Sequence, residues 1–161
     1  MATAADPERG ATKALELALR YLNRRERTRA QVAGHLSRRE LPAAAIEEAV
    51  ATLARQGHLD DARYARAFAE DRRALDGWGP ERIERALVAA GVDDGLVADA
   101  VGARDAGEEL EAALELLRRR FREIPGDDRE RASALGMLVR KGYDLDLAYE
   151  AVRAFERAES R

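Results

Sequence analysis

Apolar positions recur at helical intervals along almost the whole chain. Leu15, Leu19 and Leu22 stand at i, i+4 and i+7, and the spacing resumes with Val32 and Leu36, then with Ile46, Val50 and Leu53. Helix punctuation falls between these runs. Thr28, with Gln31 three residues on, reads as a capping box; Pro42 stands where a helix opens and Gly57 where one ends. The same pattern predicts a helix opened by Asp60 or Asp61, carrying Tyr64, Phe68 and Leu75 inward to a break at Gly77. Pro80 opens the next, with Ile83 and Leu87 inward and a stop at Gly91, and Asp93 caps another with Val97 and Val101 inward. Leu110, Leu114, Leu117 and Phe121 mark a helix that breaks at Pro125-Gly126. Asp127 caps one with Leu135, Leu138 and Val139 inward, stopped at Gly142, and Asp144 caps the last, with Leu147, Ala148, Val152 and Phe155 inward.

The pattern repeats. Leu36, Leu87 and Leu138 are spaced 51 and 51 residues apart. In the same register lie Leu41, Val92 and Tyr143; Ile46, Val97 and Ala148; Ala49, Ala100 and Ala151; and Val50, Val101 and Val152. Just before the second set come Glu40, Gly91 and Gly142, so two of three copies place glycine where a helix must stop and turn. This predicts an all-α protein of three tandem three-helix repeats at 13–58, 59–103 and 104–161, after a flexible tail over 1–12. A unit of about 50 residues is marginal alone, so neighbours should share buried surface. An elongated, curved array is the expected shape.

Composition agrees with helices. Hydrophobic residues are 46% of the chain, charged residues 37% and aromatics only 5%, with few β-branched residues to build a sheet. There is no cysteine, which excludes a disulfide framework, a thiolate zinc site and a cysteine nucleophile. No apolar run approaches the roughly 20 residues of a membrane span, and the acidic start carries no signal-peptide pattern. A cytoplasmic protein with no cofactor is expected. The net charge of −3 hides alternation: residues 13–41 balance to +5, 42–117 to −9 and 118–142 to +4. A basic stripe therefore remains compatible with an acidic total.

Three segments in order carry a likeness. They are Leu22-Asn23-Arg24-Arg25-Glu26-Arg27-Thr28-Arg29, Gly57-His58-Leu59-Asp60-Asp61-Ala62-Arg63-Tyr64-Ala65, and Gly77-Trp78-Gly79-Pro80-Glu81-Arg82-Ile83 with Leu87 to Gly91. The stretch from Tyr21 to Gly91 resembles the RecX family of bacterial recombinase regulators. That family's pattern has serine at the place of Thr28 and an aromatic residue at the place of His58. The resemblance implies a non-enzymatic regulator that binds filaments of the RecA recombinase on single-stranded DNA. Such a regulator lies along the filament groove and damps ATP hydrolysis, strand exchange and co-protease activity. It also implies a capacity to bind DNA, single- or double-stranded. Neither a partner membrane nor an oligomer is expected. Linked repeats would raise avidity through effective concentration.

The candidate contact residues are the cations of the basic blocks: Arg24, Arg25, Arg27 and Arg29; Arg38 and Arg39; Arg118, Arg119 and Arg122; and Arg140 and Lys141. Each also suits a helix end on dipole grounds. Asp60 and Asp61 read as a helix cap and first turn rather than an acid–base pair. His35 and His58 lack the further ligands a metal needs. Trp78 reads as packed back on the fold. No phosphate loop, nucleophile elbow or paired His/Glu motif is present. Two rival readings remain: a stand-alone DNA-binding protein using Thr28 to Gly57 as a helix-turn-helix, and a helical scaffold. The first is disfavoured because Glu47 and Glu48 would set carboxylates against phosphate on its recognition helix.

Overall fold

The structure, a computed structural model, describes residues 7–159. Those residues form nine α-helices and no strand: α1 Pro7–Leu22, α2 Arg29–Ser37, α3 Ala43–Arg55, α4 Asp61–Asp71, α5 Pro80–Ala89, α6 Asp94–Val101, α7 Ala106–Arg120, α8 Asp128–Lys141 and α9 Leu145–Glu159. Among the described residues no helix is long and apolar enough to cross a membrane.

The tripled register is a register of burial. Leu36, Leu87 and Leu138 are all 0% exposed, and Ala49, Ala100 and Ala151 are buried with them. The stop position is conformational in every copy: φ is +59° at Glu40, +79° at Gly91 and +100° at Gly142. Behind two of these stops the backbone closes a Schellman pattern. Val92 and Tyr143 donate back to the carbonyls of Leu87 and Leu138, and Gly91 and Gly142 to those of Val88 and Val139. One left-handed residue thus satisfies the orphan carbonyls of the helix and turns the chain toward the next.

By their contacts the residues gather into two compact units. One takes the chain up to Arg66 together with Leu87–Leu96; the other takes Ala67–Ala86 and the chain from Val97 onward. The first has a core of Ala14, Ala18, Val32, Leu36, Ala45, Ala49, Leu53 and Leu59, with Leu15, Leu19 and Leu22 packed at its edge. Small alanines occupy the centre of the α1 face, which lets α1 and α3 pack closely. The second core joins α7, α8 and α9 through Leu117, Leu138, Tyr143, Val152 and Phe155.

Three expectations are corrected. Residues 7–12, read as tail, are the first turns of α1: Pro7 supplies a preset φ at the opening and Thr12 Oγ1 donates to Glu8 O at 2.9 Å. Met1–Asp6 lie outside the described residues. In α4 the buried positions are Ala65 and Ala69, while Tyr64 and Phe68 are half-buried and Leu75 is 75% exposed. Beyond α4 a π-helical turn spans Arg72–Asp76 and ends at Gly77 with φ +62°. Arg73 continues the buried line of Ala65 and Ala69 at four-residue spacing, and Leu75 faces outward. In α8, Val139 is on the solvent side at 40% exposure, and Ala134 takes its place beside Leu138.

Candidate partner-binding surface

The first two segments of the family likeness and the Leu87–Gly91 end of the third meet in the first unit. Thr28 caps α2, its Oγ1 accepting from Gln31 N at 3.1 Å while Gln31 Oε1 accepts from Thr28 N at 3.1 Å. The same hydroxyl donates to the carbonyl of Ala90 at 2.6 Å. Asp61 Oδ1 accepts from Arg29 N at 3.0 Å, and Arg63 Nε meets Glu26 Oε1 at 3.2 Å. A β-carbon on Gly91 would run into Ala30. The first segment is therefore fastened by the second through Asp61 and Arg63, and by the third through Ala90 and Gly91. Serine in place of Thr28 would keep both hydrogen bonds, since only the hydroxyl is used. Asp60, not Asp61, caps α4, accepting from Arg63 N at 2.9 Å; that bond holds its carboxyl below the ordinary value.

The candidate cations separate into distinct environments. Tyr21 at the end of α1 stacks on His35 of α2, with centroids 4.0 Å apart and planes 2° apart. The Arg27 guanidinium lies 4.2 Å over the Tyr21 ring. Arg38 folds back toward Gly34, one residue from His35. Burial lowers the His35 pKa, and the charges of Arg39, Arg38, Arg27 and Arg24 lower it further. Arg24, Arg27, Arg38 and Arg39 thus lie within electrostatic reach of one imidazole. Among the described residues no ion pair engages Arg24, Arg25, Arg27, Arg38 or Arg39. Arg25 is exposed but is not among the charges acting on His35. Arg29 belongs elsewhere: it lines a cleft with Asp60, Asp61 and Asp93, whose carboxylates reverse the local sign.

In the second unit Arg118 pairs with Glu111 at 2.8 Å and Arg119 with Glu115 at 3.4 Å, both on the exposed face of α7. Arg122 and Arg140 are exposed. Lys141 is half-buried, and its Nζ donates to Asp76 O at 2.7 Å. Arg119 and Lys141 line one cleft of about 340 Å³ with Arg104, a cation the sequence pattern did not single out. Deeper in, Arg73 and Glu109 form an ion pair at 3.3 Å, and Arg73 also donates to Ala100 O and Val101 O at the end of α6. Burial pushes the Glu109 carboxyl up against the pull of Arg73, and burial pushes the neighbouring Tyr143 hydroxyl up to about 12. Neither Arg73 nor Glu109 is marked by any motif in the sequence. Trp78 packs back as expected, edge-on to Phe68 with ring centroids 6.1 Å apart and beneath Arg82 at 4.2 Å. Among the described residues no group of acidic residues and histidines could hold a metal.

Fold and surface define an all-α protein of repeated three-helix units with clustered guanidinium groups on its exterior. Comparison with known proteins narrows this class. The first, second and third three-helix domains of RecX match residues 14–53, 60–101 and 107–152 in order. The chain belongs to the RecX family. It is 38% identical over 157 residues to regulatory protein RecX of Thermobifida fusca (strain YX), covering 96% of this chain and 85% of that protein. To the protein of the same name from Mycobacterium tuberculosis (strain ATCC 25177 / H37Ra) it is 37% identical over 153 residues, covering 91% and 88%. Its fold matches the crystal structure of RecX from Lactobacillus salivarius with a TM-score of 0.80 at 21% identity, over 92% of this chain and 98% of that one. A second crystal structure of regulatory protein RecX matches with a TM-score of 0.76 at 25% identity, over 92% and 73%. These relatives are named as regulatory proteins, not as enzymes.

Proposed function

We propose that this protein binds the RecA filament on single-stranded DNA and restrains it, lowering ATP hydrolysis, strand exchange and co-protease activity. It acts in the cytoplasm as a monomer, without a cofactor and without catalysis of its own. The observation that carries this reading is the ordered match of all three RecX domains along one chain. The unpaired arginines around His35 supply a physical means: guanidinium groups that meet no carboxylate of their own are free to meet phosphates or acidic groups of a filament. Three linked units allow several weak contacts to act together.

The test is the single-stranded-DNA-dependent ATPase of the cognate recombinase, titrated with this protein. Inhibition should be strong at levels well below the concentration of recombinase subunits. A requirement for enough protein to cover the DNA, with relief by excess single strand, would identify a simple DNA competitor and overturn the reading. Arg24→Ala/Arg38→Ala/Arg39→Ala should keep its melting temperature within a few degrees, because exposed helix-end charges contribute only about 0.3–1 kcal/mol each. Inhibition should fall steeply and lose part of its salt dependence. Parent-level inhibition in this variant would move the contact to Arg118, Arg119, Arg122 and Arg140.

A further inference from the structure

The cluster at the end of α1 is built in layers. The Arg27 guanidinium lies on one face of Tyr21 at 4.2 Å, and His35 stacks on Tyr21 with planes 2° apart. Arg27 Nε is buried and has no hydrogen-bond partner. The charged groups that act on His35 are Arg39 and Arg38 from the end of α2, Arg27 from the α1–α2 connection and Arg24 just past α1; all are cationic. The carboxylate nearest in sequence to Arg27, that of Glu26, is engaged by Arg63. Burial, and after it the four guanidinium charges, disfavour a charged imidazole, and the charges repel one another. An anion seated among them would relieve that repulsion and make a charged imidazole favourable.

We propose that the Arg27–Tyr21–His35 stack, with Arg24, Arg38 and Arg39 around it, seats one backbone phosphate of single-stranded DNA, and that filling the seat is coupled to uptake of one proton by His35. The guanidinium forks match phosphate oxygens, and a planar stack of guanidinium, phenol and imidazole can be extended by an unpaired base. An acidic peptide offers charge but no ring to continue the stack, so DNA is the ligand the layers favour. The coupling has a defined sign. Binding raises the midpoint of His35, so affinity is flat above the bound-state midpoint and rises as pH falls through the interval between the two midpoints. It levels off below the free-state midpoint. Each unit of separation is worth a factor of about ten in affinity.

The inference rests on the DNA-contacting part of the proposed function and not on the recombinase, so its test uses an oligonucleotide alone. The chain has two histidines, which makes an NMR titration of imidazole signals direct, with His58→Asn to assign them. On adding a 20-nucleotide oligothymidylate at fixed ionic strength, the His35 midpoint should rise by about one unit or more. In fluorescence anisotropy, oligothymidylate should bind several-fold more tightly at pH 5.5 than at pH 8. His35→Asn should remove that dependence, leaving one affinity at both pH values. A His35 midpoint unmoved by the bound oligonucleotide, or a pH dependence that persists in His35→Asn, overturns the seat. An equal rise with oligoglutamate assigns it to acidic protein groups instead and also overturns it. Loss of ATPase inhibition with the His35 response intact would strike the filament reading alone.

Discussion

Replacing Arg73 by methionine tests what holds the second unit together. Arg73 is 8% exposed and Glu109 4%. The guanidinium meets Glu109 Oε1 at 3.3 Å, Val101 O at 2.8 Å and Ala100 O at 3.3 Å, so one side chain neutralises a carboxylate and caps α6. Methionine fills similar space but leaves Glu109 buried without a counter-charge. The carboxyl then enters the fold protonated. At pH 7 that costs about 1.4 kcal/mol for each unit between 7 and the ordinary value near 4.3, at most roughly 3.7 kcal/mol, reduced by the rise that burial already imposes in the parent. The uncapped carbonyls add about 1 kcal/mol or more. A total of about 3–5 kcal/mol follows, in the range for breaking a buried pair. A raised carboxyl pKa means the stability it allows is fully present below the unfolded value and lost as pH rises through the folded value. The deficit of Arg73→Met should therefore shrink toward about 1–2 kcal/mol near pH 4, as the charge cost vanishes. Urea unfolding followed by helical circular dichroism measures this; with a slope of about 2 kcal/mol/M the midpoint should drop by roughly 1.5–2.5 M at pH 7. Arg73→Met/Glu109→Leu should recover most of the loss and its pH dependence. A deficit below about 1 kcal/mol at pH 7, or one unchanged at pH 4, would refute the reasoning.

Three further outcomes follow from the repeat register. Glu40→Gly should raise stability by about 0.5–1 kcal/mol, because a left-handed backbone costs an L-residue roughly 1–2 kcal/mol and glycine returns part of that as chain entropy; a lower melting temperature would contradict it. Gly142→Ala should do the reverse by about 2–4 kcal/mol, combining the same strain with a clash against Arg82, whose N would lie 2.6 Å from the new β-carbon. Leu138→Ala, at a position 0% exposed, should lose about 2–5 kcal/mol in denaturant unfolding through the cavity it opens in the α7–α9 core.

Periodicity alone located the helices and most of their caps. Thr28 with Gln31, Asp60, Asp127 and Asp144 act where the pattern puts them, because a cap is a local bond between residues three apart. The tripled spacing also marked the left-handed stop, even in the copy where Glu40 replaces glycine. Asp105 and Glu108 form a further capping box whose spacing is equally plain in the sequence. Tertiary structure decided what spacing cannot reach. The face that α4 buries is the line of Ala65 and Ala69 continued by Arg73, and two alanines with an arginine do not stand out as an apolar stripe. Thr28 donating to Ala90, Asp61 capping Arg29 and Arg73 joining Glu109 link residues 62, 32 and 36 apart. Such pairs are chosen by the packing of helices on one another, since only there do their polar groups lose water and need each other. The basic cluster divides in the same way. Its arginines were legible as a charge block, but their meeting at His35, and the diversion of Arg29 to a cleft lined by Asp60, Asp61 and Asp93, depend on how α1 and α2 cross. A charge pattern along a chain specifies sign; its surroundings in space specify whether that charge is already neutralised.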